Sequence, residues 1–250
     1  MKFKVVVSSY NSLEWLSKTL YSIDYQTYED YEVCVVDDGS DDPRQAEFIK
    51  EYCSKKDNWN YIIHEENKGA LFSQVEAIVS MNPNDEDVIV WVDGDDWLID
   101  DSVFQTLVDT YERTNCLMTY GSYRPQPYAD TCSMARRYPK QVERKNSYRA
   151  HAYVGGLLFN HLRTVKYLLF KHLDYSDFMW PDGTWFKCAG DTAVMIPCLE
   201  MAGGKYEVID KELYIYNTNN PVSDWRRWSD EIDRTHSYIL KKLKSKNRLF

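Results

Sequence analysis

No stretch of eighteen or more apolar residues occurs in the chain, so it offers no membrane-spanning helix. The N-terminus passes from Lys2 and Lys4 straight into Val5-Val6-Val7 rather than into the apolar segment of a secretory leader. Cysteines are few, at 34, 53, 116, 132, 188 and 198, and no two form a Cys-x-x-Cys pair. With Cys34 inside an apolar strand pattern, that spread excludes a zinc ribbon or a disulfide framework, and reduced thiols in a soluble, cytoplasmic protein are expected. Positive charge is short as well: 30 Lys and Arg face 39 Asp and Glu, a net charge of −9. A general nucleic-acid binder needs a basic footprint, so no nucleic-acid partner is expected. There is no internal repeat and no low-complexity tract.

The chain does hold enough apolar residues for one core. Hydrophobic residues make up 44% of 250, which suits one domain over 1–250 rather than two independent ones. Aromatics reach 15%, with 20 tyrosines and 8 tryptophans, as a bulky core or as stacking surfaces for sugars and bases.

The stretch 1–121 alternates β-rich runs with helical periods, the pattern of βαβ units and a mostly parallel sheet flanked by helices. Phe3 to Ser8 predicts a strand. Asn11 then stands as an N-cap with Glu14 three residues on, and Leu13, Leu16, Leu20 and Ile23 share a helical face. Tyr31 to Val36 predicts a second strand, ending at Asp37-Asp38-Gly39-Ser40, and Asp42-Pro43 opens a helix. Tyr61 to His64 and Val88 to Val92 give two more strands, separated by the turn Asn67-Lys68-Gly69 and a stripe of Leu71, Val75 and Ile78. A helix over Ser102 to Thr114 and a strand over Leu117 to Gly121 complete this half.

The stretch 122–250 is less regular. Arg124, Arg136, Arg137, Lys140, Arg144, Lys145 and Arg149 make 122–150 a basic segment, expected as a mobile flap that is either a cationic lid or a solvated excursion. Phe159 to Leu173 and Asp191 to Ala202 carry helical periods, with Pro197 expected to kink the second. Tyr206 to Ile209 and Leu213 to Tyr216 read as closing strands. The last helix, Ser229 to Leu243, gathers Ile232, His236, Ile239, Leu240 and Leu243 on one face and ends in a basic run. Peripheral contact with an anionic membrane is one expectation for it, and a basic helix end matched to its own dipole the other.

In an open parallel sheet, ligands bind at the carboxyl ends of the strands. Ser8-Ser9-Tyr10-Asn11, Asp37-Asp38-Gly39-Ser40, Asn67-Lys68-Gly69 and Asp93-Gly94-Asp95-Asp96 all fall at such ends and should face one crevice. Asp-Asp-Gly-Ser alone is a common turn. The cluster at Asp93 says more, because carboxylates packed behind Val-Ile-Val-Trp-Val need a counter-ion or must take up protons. Mn²⁺ or Mg²⁺ held by one or two of them would keep positions open for phosphate oxygens, with Gly94 letting the ligand approach the backbone.

These four motifs, in this order over residues 3–98, resemble the family 2 inverting glycosyltransferases of GT-A fold. The resemblance implies a mostly parallel nucleotide-binding sheet in 1–121 and a smaller mixed acceptor half in 122–250. It implies a nucleotide-sugar donor, a UDP-sugar favoured, and a glycan, lipid-linked or protein-linked acceptor. Ser8 would offer backbone contacts, Tyr10 would pack on the base with Asn11 beside it, Asp38 would hydrogen-bond the base or ribose, and Lys68 would lie near the base or diphosphate. Asp93 would bind the ribose or sugar and help hold the metal, and Asp95 would ligate it directly. Ala189-Gly190-Asp191-Thr192 looks like the segment that carries the family's catalytic base, which makes Asp191 that candidate, with an N-cap role as the plainer alternative and Asp182 as the fallback.

The segment from Asn160-His161-Leu162-Arg163-Thr164 to Asn217-Thr218-Asn219-Asn220-Pro221 is similar to a subgroup of the family. Those enzymes place a histidine after the Asn-x-x-Asn-Pro motif to complete the metal site, whereas this chain has Asp224-Trp225-Arg226. Water, Asp96 or Asp224 would then fill the shell. The histidines at 64, 151, 161, 172 and 236 show no metal spacing and are expected to be structural, His161 least clearly. Two other classes stay in view. A nucleotidyltransferase would carry a glycine-rich basic loop after its first strand, which Ser8-Ser9-Tyr10-Asn11 is not. A non-catalytic sugar- or nucleotide-binding module would have no need of Asp191.

Overall fold

The computed structural model describes the chain except for residues 128–133, 224–225, 227–228 and 250. Its strands are β1 (Phe3–Ser9), β2 (Tyr31–Asp37), β3 (Trp59–Ile63), β4 (Val88–Asp93), β5 (Trp97–Leu98), β6 (Met118–Gln126), β7 (Arg163–Lys166) and β8 (Tyr206–Asn217). The helices are α1 (Leu13–Asp24), α2 (Pro43–Cys53), α3 (Ala70–Ser80), α4 (Val103–Thr114), α5 (Lys140–Lys145), α6 (Tyr148–Gly155), α7 (Tyr167–Phe170), α8 (Gly190–Ala202) and α9 (Ser229–Lys241). All eight strands form one sheet in the order β3-β2-β1-β4-β7-β6-β8-β5. The first four are parallel, β7 runs against both neighbours, and β6 and β8 are parallel again.

Strand alternation decides which core each residue enters. Val5, Val7, Val33, Val35, Val90 and Val92 point to one side, under α1, α2 and α4. Val6, Cys34, Val36, Ile89 and Trp91 point to the other, where α3 and α8 cover them. Because both faces are buried, the strands are continuous apolar runs. Register then aligns their ends, with Ser8 opposite Asp93 and Ser9 opposite Asp37. The polar ends of β1, β2 and β4 therefore share one edge.

Several expectations are corrected. Asn11 does not cap α1. Ser12 holds that position, while Asn11 takes a left-handed φ of 49° and its side chain exchanges hydrogen bonds with Asp41. Asparagine tolerates that conformation because its short amide bonds locally. Phe159 to Leu173 is not one helix: Arg163–Lys166 forms β7, wedged between β4 and β6, and only Tyr167–Phe170 is helical. A gap between two strands outweighs a helical period that packing does not use. The two closing strands are a single one, β8, which carries Asp210 and Lys211 through its exposed middle.

The basic segment is no flap in its described parts, which comprise the end of β6, α5 and α6. Three of its cations are tied to the fold: Arg124 pairs with Glu212, Arg137 with Glu143, and Arg149 is buried against Glu200 while donating to the Ile239 carbonyl; Arg136, Lys140, Arg144 and Lys145 are exposed. α8 continues through Pro197 and is buried on every side after Asp191, which is why it lacks an amphipathic stripe. The apolar face of α9 packs inward, with Ile239 fully buried and Leu240 and Leu243 against the core, while Asp230, Asp233, Arg234 and the basic end face out. The five described cysteines are buried and form no disulfide with one another.

Candidate active site

A cleft of about 340 Å³ opens at the shared edge of β1 and β4. Ser8, Tyr10, Asp93, Asp95 and Asp191 line it, so β1, β4 and α8, with the turns that follow the two strands, deliver these expected residues to one place. Asn11, Asp38, Lys68 and Gly94 do not line it. Asp38 is almost fully buried, accepting from the Lys68 and Gly69 amides and from Ser73 at 2.9 Å each, with His64 Nδ1 at the same distance. The other ring nitrogen of His64 meets Glu76 at 2.6 Å. Asp38 thus pins the Lys68–Gly69 turn. Lys68 is exposed, its Nζ 5.0 Å from the centre of the Phe72 ring.

Gly94 has a different reason from the expected one. A Cβ there would lie 2.3 Å from Ser9 Cβ and 2.8 Å from Ser9 Cα, so the space is filled by β1 and not by a ligand. The Gly94 amide donates to the Ser8 carbonyl at 2.8 Å, which ties the acidic turn to the end of the neighbouring strand.

Within the acidic turn the carboxylates differ. Asp96 is buried; its Oδ1 accepts from the Asn217 amide at 2.7 Å, and its Oδ2 has no hydrogen-bond partner among the described residues. Burial, then the charges of Asp95 and Asp93, push its carboxyl well above the ordinary range. Asp95 takes a 2.7 Å hydrogen bond from Asn220, yet burial still lifts it to about 6. Asp93 is raised by burial too, against the pull of Arg163. Its backbone N–H donates to the Tyr214 hydroxyl at 3.0 Å.

His161 completes the group. Its ring stacks on Tyr214, with centroids 4.6 Å apart, and burial holds its pKa well below the ordinary value, so the imidazole is neutral. Donor atoms of Asp93, Asp96 and His161 all lie within 4.8 Å of one another. Two carboxylates and a neutral imidazole suit Mn²⁺ or Mg²⁺, and the orphaned Asp96 Oδ2 is the atom such an ion would take up. The residues fit a divalent ion, with His161 in the place the sequence left to water, Asp96 or Asp224. Asp224 and Trp225 lie outside the described residues. Asp95, bonded to Asn220, stands beside this trio and not within it.

Asp191 sits in the first turn of α8 but is not its cap, since Ala189 holds that position. Its Oδ1 accepts from the Thr192 amide at 2.7 Å, and its Oδ2 pairs with Arg163 Nη1 at 2.9 Å. Arg163 turns its other nitrogen toward Asp93 and His161, at 3.8 and 3.3 Å. Asp182 is exposed, bonds Thr184, and lies outside the cleft. Sequence reasoning passed over Arg163, and it passed over Gln74, whose amide donates to Ser8 Oγ at 3.1 Å. Arg163 was hidden by the helical reading of its segment; Gln74 carried no signal.

A parallel-edged sheet with an acidic, metal-competent turn facing a carboxylate on a buried helix defines a GT-A glycosyltransferase site. The chain belongs to the family described as glycosyl transferase family 2, whose model matches residues 4–180. It is 34% identical over 122 residues to glycosyltransferase GlyA of Streptococcus pneumoniae, a match covering 49% of this chain and 17% of that protein. The chain thus spans about a sixth of that relative. In fold it is similar to S. aureus TarS 1–349 in complex with UDP-GlcNAc, with a TM-score of 0.69, 20% identity, and coverage of 98% of this chain and 68% of the other. Mannosyltransferase PcManGT from Pyrobaculum calidifontis, in complex with GDP-Man and Mn²⁺, superposes with a TM-score of 0.63 at 16% identity, covering 98% and 66%.

Proposed function

We propose that this protein transfers a sugar from a nucleotide-diphosphate donor, UDP favoured, to a hydroxyl of a glycan, lipid-linked or protein-linked acceptor, with inversion at the anomeric carbon and dependence on a divalent metal. The observation that carries this is the joining of Asp93, Asp96 and His161 to Asp191 across one cleft. The fold shared with a UDP-GlcNAc complex and with a GDP-Man and Mn²⁺ complex supports the donor class and the ion.

Asp93, Asp96 and His161 would hold Mn²⁺ or Mg²⁺, with Asp95 at the edge of the shell, and the ion supplies positive charge against a departing diphosphate. Ser8 and Tyr10 flank the donor end of the cleft. Asp191 is the base: it accepts the proton of the acceptor hydroxyl as that oxygen bonds the anomeric carbon, while the old glycosidic pair of electrons leaves with the nucleotide diphosphate. No helix among the described residues is long and apolar enough to cross a membrane. The outward lysines at the end of α9 are the part suited to a peripheral contact with anionic lipid, where a lipid-linked acceptor would lie.

The test is slow hydrolysis over a panel of nucleotide sugars with Mn²⁺, with Mg²⁺ and with chelator. At least one donor should turn over with metal and stop with chelator. No turnover under any metal, together with no metal-dependent binding of UDP or GDP, would overturn the proposal.

A further inference from the structure

Arg163 reaches both halves of the site. It is 8% exposed, on the short strand β7, and its Cα lies opposite Trp91, two residues before Asp93. Nη1 holds Asp191 at 2.9 Å. Nη2 points at Asp93 Oδ2, 3.8 Å away, and at His161 Nδ1, 3.3 Å away. A guanidinium only donates, so that Nδ1 must present its lone pair. The same imidazole and the same carboxylate belong to two of the three residues whose donor atoms are grouped closely enough to hold a metal ion. A buried cation therefore stands against the ligand set that a divalent cation would use.

We infer that Arg163 is a positioning residue with two duties that pull in opposite directions: Nη2 acts as a resident counter-charge that a metal ion must displace from Asp93 and His161, while Nη1 keeps the Asp191 carboxylate aimed into the cleft. In the absence of metal the guanidinium offsets part of the charge of the acidic turn. When a divalent ion takes Asp93 and His161, the repulsion between like charges leaves Arg163 held by Asp191 alone. The two sides of the site are thereby linked through one side chain, and the second duty rests on the function proposed above.

The two duties separate in one experiment. Mn²⁺ affinity is measured without donor, by calorimetry or by the electron paramagnetic resonance signal of free Mn²⁺, for wild type, Arg163→Gln and Arg163→Lys. The neutral glutamine should tighten Mn²⁺ binding about tenfold, because the competing charge is gone. Lysine keeps the charge and should bind Mn²⁺ within about threefold of wild type, since only the fork is lost. In turnover, both variants should lower kcat at least about tenfold with the donor KM within about threefold, because Asp191 has lost its aligned partner. A residue that merely supported the fold would weaken metal binding and turnover together. Glutamine binding Mn²⁺ no more tightly than wild type, or either variant with wild-type kcat, overturns the inference alone. If Arg163→Gln fails to fold by circular dichroism, the lysine variant decides: wild-type Mn²⁺ affinity with low kcat supports the inference, and any other pair of values overturns it. Wild type that binds no Mn²⁺ and turns over no donor sinks the proposed function and this inference with it.

Discussion

Asp191 and Asp96 are chemically the same side chain, and their surroundings give them different work. Asp191 keeps one oxygen on an amide and the other on Arg163, at the wall of the cleft. Replacing it with asparagine keeps the volume and removes the base. Asp191→Asn should therefore lower turnover at least about 100-fold while the affinity for UDP changes by less than about twofold. Equal loss of both in a calorimetric and kinetic comparison would place Asp191 in donor binding instead. Asp95, lifted to about 6 by burial, gives a pH prediction. A carboxyl whose folded pKa is raised binds more protons folded than unfolded, so its contribution to stability falls as pH rises from the ordinary carboxylate range through about 6. Asp93 and Asp96 shift in the same direction. Metal-free protein should thus lose thermal stability between pH 5 and pH 7 in a dye-melt series, and Mn²⁺ should raise the melting temperature more at pH 7 than at pH 5. The opposite order would mean that these carboxylates do not share buried charge.

At the level of elements, legibility followed burial. β1, β2 and β4 were readable because strands covered on both faces are unbroken apolar runs, and register placed Ser8 opposite Asp93 without further information. β7 was not readable. Leu162, Thr164 and Val165 lie among residues that also satisfy a helical period, and the gap between β4 and β6 that makes them a strand is a property of the assembled sheet. With the strand missed, His161 and Arg163 were missed as members of the site. Asp38 shows a third case: its motif was plain, but the direction of its carboxylate, inward to His64 and the Lys68–Gly69 turn, depends on partners about thirty residues away. The tight seam between β1 and the acidic turn is testable. Gly94→Ala must push a methyl into Ser9, which should cost about 1–3 kcal/mol of stability by urea denaturation. A midpoint unchanged from wild type would show that the seam yields freely.

For the molecule as a whole, the acidic turn ends a strand in the middle of the sheet, between β1 and β7 in register, and Asp191 opens a helix that is buried on every side. Elements packed in this way are the last to open on heating. Catalysis in this protein should consequently be as durable as the fold that carries it: residual transfer after graded heat treatment should track the loss of far-ultraviolet dichroism, with no temperature interval in which the protein is folded yet inactive. An enzyme whose site rests on mobile loops would show such an interval. By this account, thermal endurance of the catalyst is set by the packing of β4 and α8, and substitutions that tighten the sheet or α8 should lengthen its working life without any change near the donor.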